Sequence, residues 1–402
     1  MKNRKAAAGL FPKRTPFGAA ERKQVEEVLR SQDLFSFSGT KVRDFERGFA
    51  RMYGVKHAIA SSSGTAAIHL AVAALNLEPG SEIVTAPVTD FGTIAGIIFQ
   101  GCVPVFADWA PGAFNMDPAS VEARITRKTA AIVVVHLFGN PCDMGRIMTV
   151  ARRRHLPVIE DCCQAYATPY RRRWVGTIGD IGCFSLQGSK HINTGEGGLT
   201  ITNDGAYAMR MSLFRDKGWE NRGKWGPRAY SFLGLNYRMN ELTAAVGIAQ
   251  LAKMERVVRR RRMLGDLLTR SIRDIGGILP APVAPGAAHS YWCYPFAMPG
   301  FDAERFVKAL RKEGVPAGWG YTGKPIYLCH AALTEKKTFG KSGYPFVGPA
   351  GATAPSYREG LCPVAERTLS QLGVIWFNEN WTARDIRAAA GAIRRAAATH
   401  RR

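Results

Sequence analysis

The stretch "CFSLQGSKHINTGEGGLTITND", Cys183 to Asp204, sets a lysine, Lys190, just beyond an apolar segment and seven residues ahead of a paired glycine. A lysine is ordinarily a solvated surface side chain, so the company this one keeps decides its meaning. On its N-terminal side "GCFSLQ" (182–187) reads as a strand, and on its C-terminal side "GGLTITND" (197–204) reads as the next. Outward from this pair, "HAIASSS" (57–63), "SEIVTAPV" (81–88), "VPVFADW" (103–109), "AIVVVHLFG" (131–139) and "LPVIED" (156–161) also read as strands. Several are almost continuously apolar, as strands covered by helices on both faces must be. Helical patterns such as "TAAIHLAVAALN" and "MGRIMTVARRRH" lie between them. The alternation predicts an α/β fold with a mostly parallel central sheet between helices.

From Asn240, a candidate N-cap, to Ile272 runs one long helical pattern. It divides the chain into a large domain over 15–262 and a smaller α+β domain over 263–402, with "YWCYPFAM" and "LGVIWFN" as strand candidates in the latter. At 402 residues and 46% apolar composition the chain can bury a large core. Eight cysteines stand without CxxC or metal-site spacing, which points to reduced thiols in the cytoplasm and to no metal. No run reaches about 18 apolar residues, so no membrane span is expected. The basic start also lacks the apolar core of a secretory signal. Lys and Arg number 55 against 32 acidic residues, a net charge of +23. Such a surface attracts polyanions in a salt-sensitive way. The basic runs are dispersed and carry no base-reading motif, so specific nucleic-acid binding is not expected.

Four separated segments bear chemistry. In "SSSGTAAIHL" a strand passes through Ser63, Gly64 and Thr65 into a helix, whose free N–H groups and dipole suit a phosphate. "VIEDCCQA" ends a buried strand in Glu160 and Asp161, at the sheet edge where ligands bind in such folds. The third is the opening stretch, with Ser185 on a strand and Lys190 beyond it; the fourth, "LGLNYRMNELTAA", places Asn236 and Arg238 before the long helix.

Together these segments resemble the DegT/DnrJ/EryC1/StrS family of sugar and cyclitol aminotransferases, pyridoxal-phosphate enzymes of fold type I. The resemblance spans about residues 15 to 395, and "EDCCQA" followed by "GTIGDIGCFSLQGSKHINTGEGG" is its most specific part. It implies that Lys190 forms the Schiff base with pyridoxal 5'-phosphate and shuttles the proton, a task for an amine that can lose its charge. Asp161 would pair with the ring nitrogen and Gln164 would lie near the ring hydroxyl. Gly64, Thr65 and Ser185 would hold the phosphate. Asn236 and Arg238 would complete that site from the partner subunit of a homodimer. One position departs from the family: where relatives carry an aromatic ring that stacks on the cofactor, this chain has Asp90, with Phe91 one step along. Either the backbone shifts to bring Phe91 in, or an acidic side chain faces the cofactor.

The glutamine tract before Lys190 looks closer to the cyclitol aminotransferases and aminohydroxybenzoate synthases than to many nucleotide-sugar enzymes, and "GKPIYLCHAAL" and "CPVAERTLSQLGVIWFNEN" resemble that branch in their layout. That branch commonly presents histidine near "FNEN", so the acceptor is expected to differ. The implied reaction moves an amino group from glutamate or glutamine to a keto-cyclitol or keto-sugar. Tyr321, Tyr327, His330 and Asn378 are the candidate acceptor contacts. Two rival readings stand beside it: an elimination or cyclisation enzyme on the same scaffold, and a non-catalytic sensor or nucleic-acid-associated protein.

Overall fold

A computed structural model of the chain describes residues 11–220, 227–347 and 355–401; the basic opening Met1–Leu10 and the terminal Arg402 lie outside the described residues. All seven strand-like segments of the N-terminal part join one sheet. In chain order its strands are β1 (His57–Ser61), β2 (Glu82–Thr85), β3 (Val103–Phe106), β4 (Thr129–Val135) and β5 (Val158–Asp161). After a two-stranded hairpin of β6 (Pro169–Tyr170) and β7 (Arg173–Trp174) come β8 (Ile181–Ser185) and β9 (Gly198–Thr202). They pair in the order β1-β9-β8-β5-β4-β2-β3. Every pairing is parallel except the two made by β9.

Alternation along each strand sends successive side chains to opposite faces, and each face finds its own core. Ile132 and Val134 join one buried cluster, Ala131 and Val133 the other. Phe184 likewise parts from its neighbour Cys183. Both faces are therefore apolar, which is why these strands read as unbroken hydrophobic runs. The helix Gly64–Ala74 is buried along nearly its whole length against one face. On the other, the helix Lys41–Tyr53 sets Val42, Phe45, Phe49 and Tyr53 at helical spacing toward the sheet. It ends at Gly54, whose φ of 65° suits a left-handed cap.

Asn240 is an N-cap as read, its side chain accepting a hydrogen bond of 2.9 Å from the Thr243 amide. The long pattern that follows is two helices rather than one: Glu241–Leu251, and Met254–Ile272 after a break at Ala252 and Lys253. The second helix crosses the 262/263 boundary unbroken. Beyond it β10 (Leu279–Pro280), β11 (Tyr294–Ala297), β12 (Ala317–Trp319) and β13 (Leu372–Ile375) form an antiparallel sheet in the order β10-β11-β13-β12. A separate core there takes its buried residues from Leu264 to Ala396, among them Phe296, Phe306 and Trp381. The N-terminal segment packs on it through Phe11, stacked on Trp381 with ring centroids 4.4 Å apart.

Phe49 is fully buried among Phe45, Tyr53, Tyr166 and Phe184, with the Phe184 ring 5.1 Å away. Truncation would leave a cavity behind β8. Phe49→Ala should cost about 3–5 kcal/mol in denaturant unfolding; a loss under ~1 kcal/mol would contradict this packing.

Candidate active site

At the carboxyl ends of the parallel strands lies a cavity of about 350 Å³, the place where ligands bind in open α/β sheets. Lys190, Asp161, Gln164, Gly64, Thr65, Ser185 and Asp90 all line it. The lysine belongs to an excursion between β8 and β9 that is closed at its base by hydrogen bonds from Leu186 N to Gly197 O (2.8 Å) and from Thr194 N to Leu186 O (2.9 Å). A turn from Gln187 O to Lys190 N (2.9 Å) aims the residue. The paired glycine closes this loop. Gly197 takes a φ of 148°, and Gly198 stands opposite Ser185 on one side and Ser61 on the other. The Lys190 amine rests over the face of Trp292, 4.4 Å from the ring centroid.

At the end of β5 the two carboxylates point apart, as strand alternation requires. Asp161 faces the cavity, accepting from the Thr93 hydroxyl (2.8 Å) and from the Cys163 amide (3.0 Å), and Thr93 is itself bonded to Thr89 (2.7 Å). Glu160 points the other way and is fully buried, accepting from the Ile178 and Gly179 amides (2.7 and 2.6 Å) and facing His136 at 3.0 Å. His136 accepts from the Cys142 amide through Nδ1, which leaves Nε2 as the donor to Glu160. Burial would raise the Glu160 carboxyl, but His136 and the surrounding amides outweigh it and hold the group below the usual carboxylate range. These bonds anchor the strand end from which Asp161 projects.

The candidate anion cradle is built from small residues. Ser63 caps the helix Gly64–Ala74, its side chain accepting from the Ala66 amide at 3.0 Å. The first-turn amides of Gly64 and Thr65 have no acceptor inside the helix and open toward the cavity rim. A Cβ on Gly64 would come within 2.6 Å of the Ser185 Cβ, so the approach of helix to β8 depends on its absence.

Asp90 resolves the departure noted in the sequence. Its side chain caps the helix Phe91–Phe99 by accepting from the Gly92 amide (2.8 Å) and lines the cavity, while Phe91 turns away to stack on His330 at 4.0 Å. The rings that line the cavity are instead Trp292 and Tyr321. Tyr321 has a left-handed backbone, φ 51°, and accepts from Gln164 Nε2 at 3.0 Å. Gln164 is held in turn by the Phe138 amide on its Oε1 (2.7 Å).

Of the four acceptor contacts read from sequence, the structure brings only Tyr321 to the cavity. Tyr327 is fully buried in the core, its hydroxyl donating to Glu366 (2.5 Å) and accepting from the Cys362 amide (3.1 Å). His330 caps a short helix through the Ala332 amide, and Asn378 donates to Pro12 O at 2.9 Å. Asn236 and Arg238 lie away from this cavity, Arg238 paired with Asp216. Sequence reasoning missed Thr93, His136, Glu196 and Trp292. Thr93 alone left a signal, one helical turn after Asp90.

Two outcomes follow from this geometry. Gly64→Ala should weaken pyridoxal-phosphate binding by at least about tenfold, or ~1.4 kcal/mol, in equilibrium titration of the apoprotein; unchanged affinity would remove the cradle from the account. Because the Glu160 pKa is lowered by folding, its stabilisation is complete above the unfolded value of about 4.3 and is lost as pH falls toward the lower folded value. The midpoint of unfolding should therefore drop steeply below about pH 4.3 in the wild type and more gently in Glu160→Gln.

The constellation matches known proteins. The family described as "DegT/DnrJ/EryC1/StrS aminotransferase family" matches residues 17–342. The chain is 41% identical to a GDP-perosamine synthase of Caulobacter vibrioides over 271 residues, 66% of this chain and 72% of that one. It is 36% identical to an L-glutamine:2-deoxy-scyllo-inosose aminotransferase of Streptomyces kanamyceticus over 302 residues, 71% and 70% of the two chains. Among solved structures, an aminotransferase from Psychrobacter cryohalolentis superposes with a TM-score of 0.83 at 29% identity, covering 95% of this chain and 98% of that one. The fold is that of the type I pyridoxal-phosphate enzymes, and pyridoxal 5'-phosphate is the cofactor. An anion cradle at Gly64 and Ser185, a carboxylate at Asp161 and an amine at Lys190 on one cavity fit that group. The chain belongs to the DegT/DnrJ/EryC1/StrS aminotransferase family.

Proposed function

We propose that this enzyme transfers the amino group of L-glutamine or L-glutamate to a polyhydroxylated ketone, a keto-cyclitol or keto-sugar. The observation that carries the reading is the convergence of Lys190, Asp161 and the Gly64–Ser185 cradle on one cavity. When bound, the cofactor supplies an aldehyde for amine exchange and a ring that accepts electrons from the substrate carbon. Asp161, fixed by Thr93 and the Cys163 amide, would hold the ring nitrogen of the cofactor and keep its proton in place. Lys190, whose amine lies on the cavity, would hold the cofactor through Nζ and would move the proton between the reacting carbons. Gln164, bonded to Tyr321, positions the polar edge of the cavity, and Trp292 and Tyr321 supply its aromatic wall. The names of the relatives, one a perosamine synthase and one a scyllo-inosose aminotransferase, support the acceptor class.

A homodimer completes the site in this reading. Leu34, Phe35, Tyr230, Leu233 and Leu235 are exposed, Leu233 at 90%, beside Asn236 and Arg238. The Arg238 guanidinium lies 5.5 Å over the Phe35 ring. An apolar apron of this kind is what a subunit interface buries, and it would carry Asn236 and Arg238 to the partner's phosphate cradle. Among the described residues no helix is long and apolar enough to cross a membrane. All eight cysteines are free, in keeping with a reducing compartment such as the cytoplasm.

Loaded wild-type protein should absorb visible light and bleach on addition of L-glutamine or L-glutamate. Lys190→Ala should lose the visible band and about 10⁴-fold in turnover, the upper end of what a positioned proton-transfer group supplies. Bleaching by no amino donor, or a band that survives Lys190→Ala, would contradict the proposal. Mass spectrometry of the product separates transamination, which swaps oxygen for nitrogen, from elimination, which also loses water.

A further inference from the structure

The segment before the first helix reaches across the molecule to the back of the lysine loop. Three consecutive residues of the loop after β13 grip it. Asn378 Nδ2 donates to Pro12 O (2.9 Å), and Asn380 Nδ2 donates to Lys13 O (2.9 Å) and to Thr15 Oγ1 (3.0 Å). Between them Glu379 accepts from Arg14 Nε at 2.8 Å. The other Glu379 oxygen takes Arg261, whose Nε and Nη2 lie 3.0 and 2.9 Å away. This is an enclosed arrangement, with side-chain exposures of 15% for Arg14, 14% for Glu379 and 2% for Arg261. Burial alone would raise the Glu379 carboxyl, yet the two guanidinium groups hold it below the usual range, so the carboxylate stays charged.

The free ends of the Arg14 fork do something a surface ion pair would not. Nη1 donates to Lys190 O at 2.6 Å and Nη2 donates to His191 O. A guanidinium is rigid and planar, so its hold on two successive carbonyls fixes the main-chain direction at Lys190. A second chain of contacts returns to the same residue from Arg261. Its Nη1 donates to Trp292 O (2.9 Å), and the Trp292 indole donates to Ser189 O (2.9 Å) while its face carries the Lys190 amine. Both routes begin at Glu379 and end on the lysine, one at its backbone and one at its tip.

We infer that Pro12–Thr15 is a positioning strap: Arg14, oriented by Glu379, sets where the Lys190 amine stands, and the smaller sheet's loop 378–380 thereby governs the reactivity of a lysine on the larger one. Arg14 is not among the residues lining the Lys190 cavity and acts through the backbone of Lys190. The inference rests on Lys190 being the cofactor-bearing lysine.

The test compares two cofactor forms on Arg14→Met, Arg14→Lys and wild-type apoprotein. Pyridoxamine phosphate has no aldehyde and needs no bond to the lysine; pyridoxal phosphate does. Arg14→Met should bind pyridoxamine phosphate within about twofold of wild type. It should capture pyridoxal phosphate at least about tenfold more slowly, by the rise of visible absorbance, and lose up to about 100-fold in kcat with little change in the KM of the amino donor, as misplacement of a reacting group by about 1 Å does. Arg14→Lys, which keeps the charge and loses the fork, should fall between. Wild-type capture rates in Arg14→Met, or an equal loss of affinity for both cofactor forms, would overturn the inference. Should Arg14→Met fail to fold, Arg14→Lys decides by the same comparison, and unfolding of both also overturns it. A wild-type chain that captures no pyridoxal phosphate would instead sink the reading of Lys190 itself.

Discussion

A methyl group at position 198 would come within 2.0 Å of the Ser63 carbonyl oxygen, a contact no side chain can make. That exclusion is the constraint around which the site is arranged. β9 runs against its neighbours and is wedged between β1 and β8, with Gly198 in register with both Ser61 and Ser185. Because no side chain intrudes, the turn after β1, the start of the helix at Gly64 and the end of β8 close on one another. The same closure forces the chain between β8 and β9 into the loop that carries Lys190. The anion cradle and the amine thus come from a single packing event.

The charged groups of the site are steadied from behind. Asp161 faces the cavity because its neighbour Glu160 is locked beneath the sheet by His136 and two amides. Lys190 is reached from the cavity side by Trp292 and from the rear by Arg14. In both cases a carboxylate, the buried Glu160 or the largely enclosed Glu379, orients groups behind the cavity. Burying a charge is costly unless it is fully paired, and a paired one is correspondingly hard to move. Such anchoring suits the proposed reaction, in which the Lys190 amine would serve two carbon atoms in turn.

Much of the large sheet was legible because burial on both faces writes each strand as an apolar run. Asp161, Ser185, Gly64 and Lys190 were legible for a related reason: each falls at the end of such a run, where the sheet opens. The break between the helices Glu241–Leu251 and Met254–Ile272 was not. Ala252 and Lys253 are good helix formers, and Lys253 is drawn to Glu21 and Pro16 by contacts more than two hundred residues apart in the chain. Tyr327 and Asn378 were misread as acceptor contacts on their polar tips. Their partners, Glu366 and Pro12, are fixed only by the tertiary fold. Asp90 shows the intermediate case. The sequence located the anomaly, but only packing decides that Phe91 goes to His330 and the carboxylate stays on the cavity.

The central claim is that one ring is held at three points by this cavity: Lys190 at its aldehyde, Asp161 at its nitrogen and Gly64 with Ser185 at its phosphate. A crystal structure of the chain soaked with pyridoxal 5'-phosphate tests it most directly. The account predicts electron density continuous from Lys190 Nζ into the cofactor, with an Asp161 oxygen at hydrogen-bond distance from the ring nitrogen. Density joined to another lysine, or a ring turned so that its nitrogen faces away from Asp161, would contradict it.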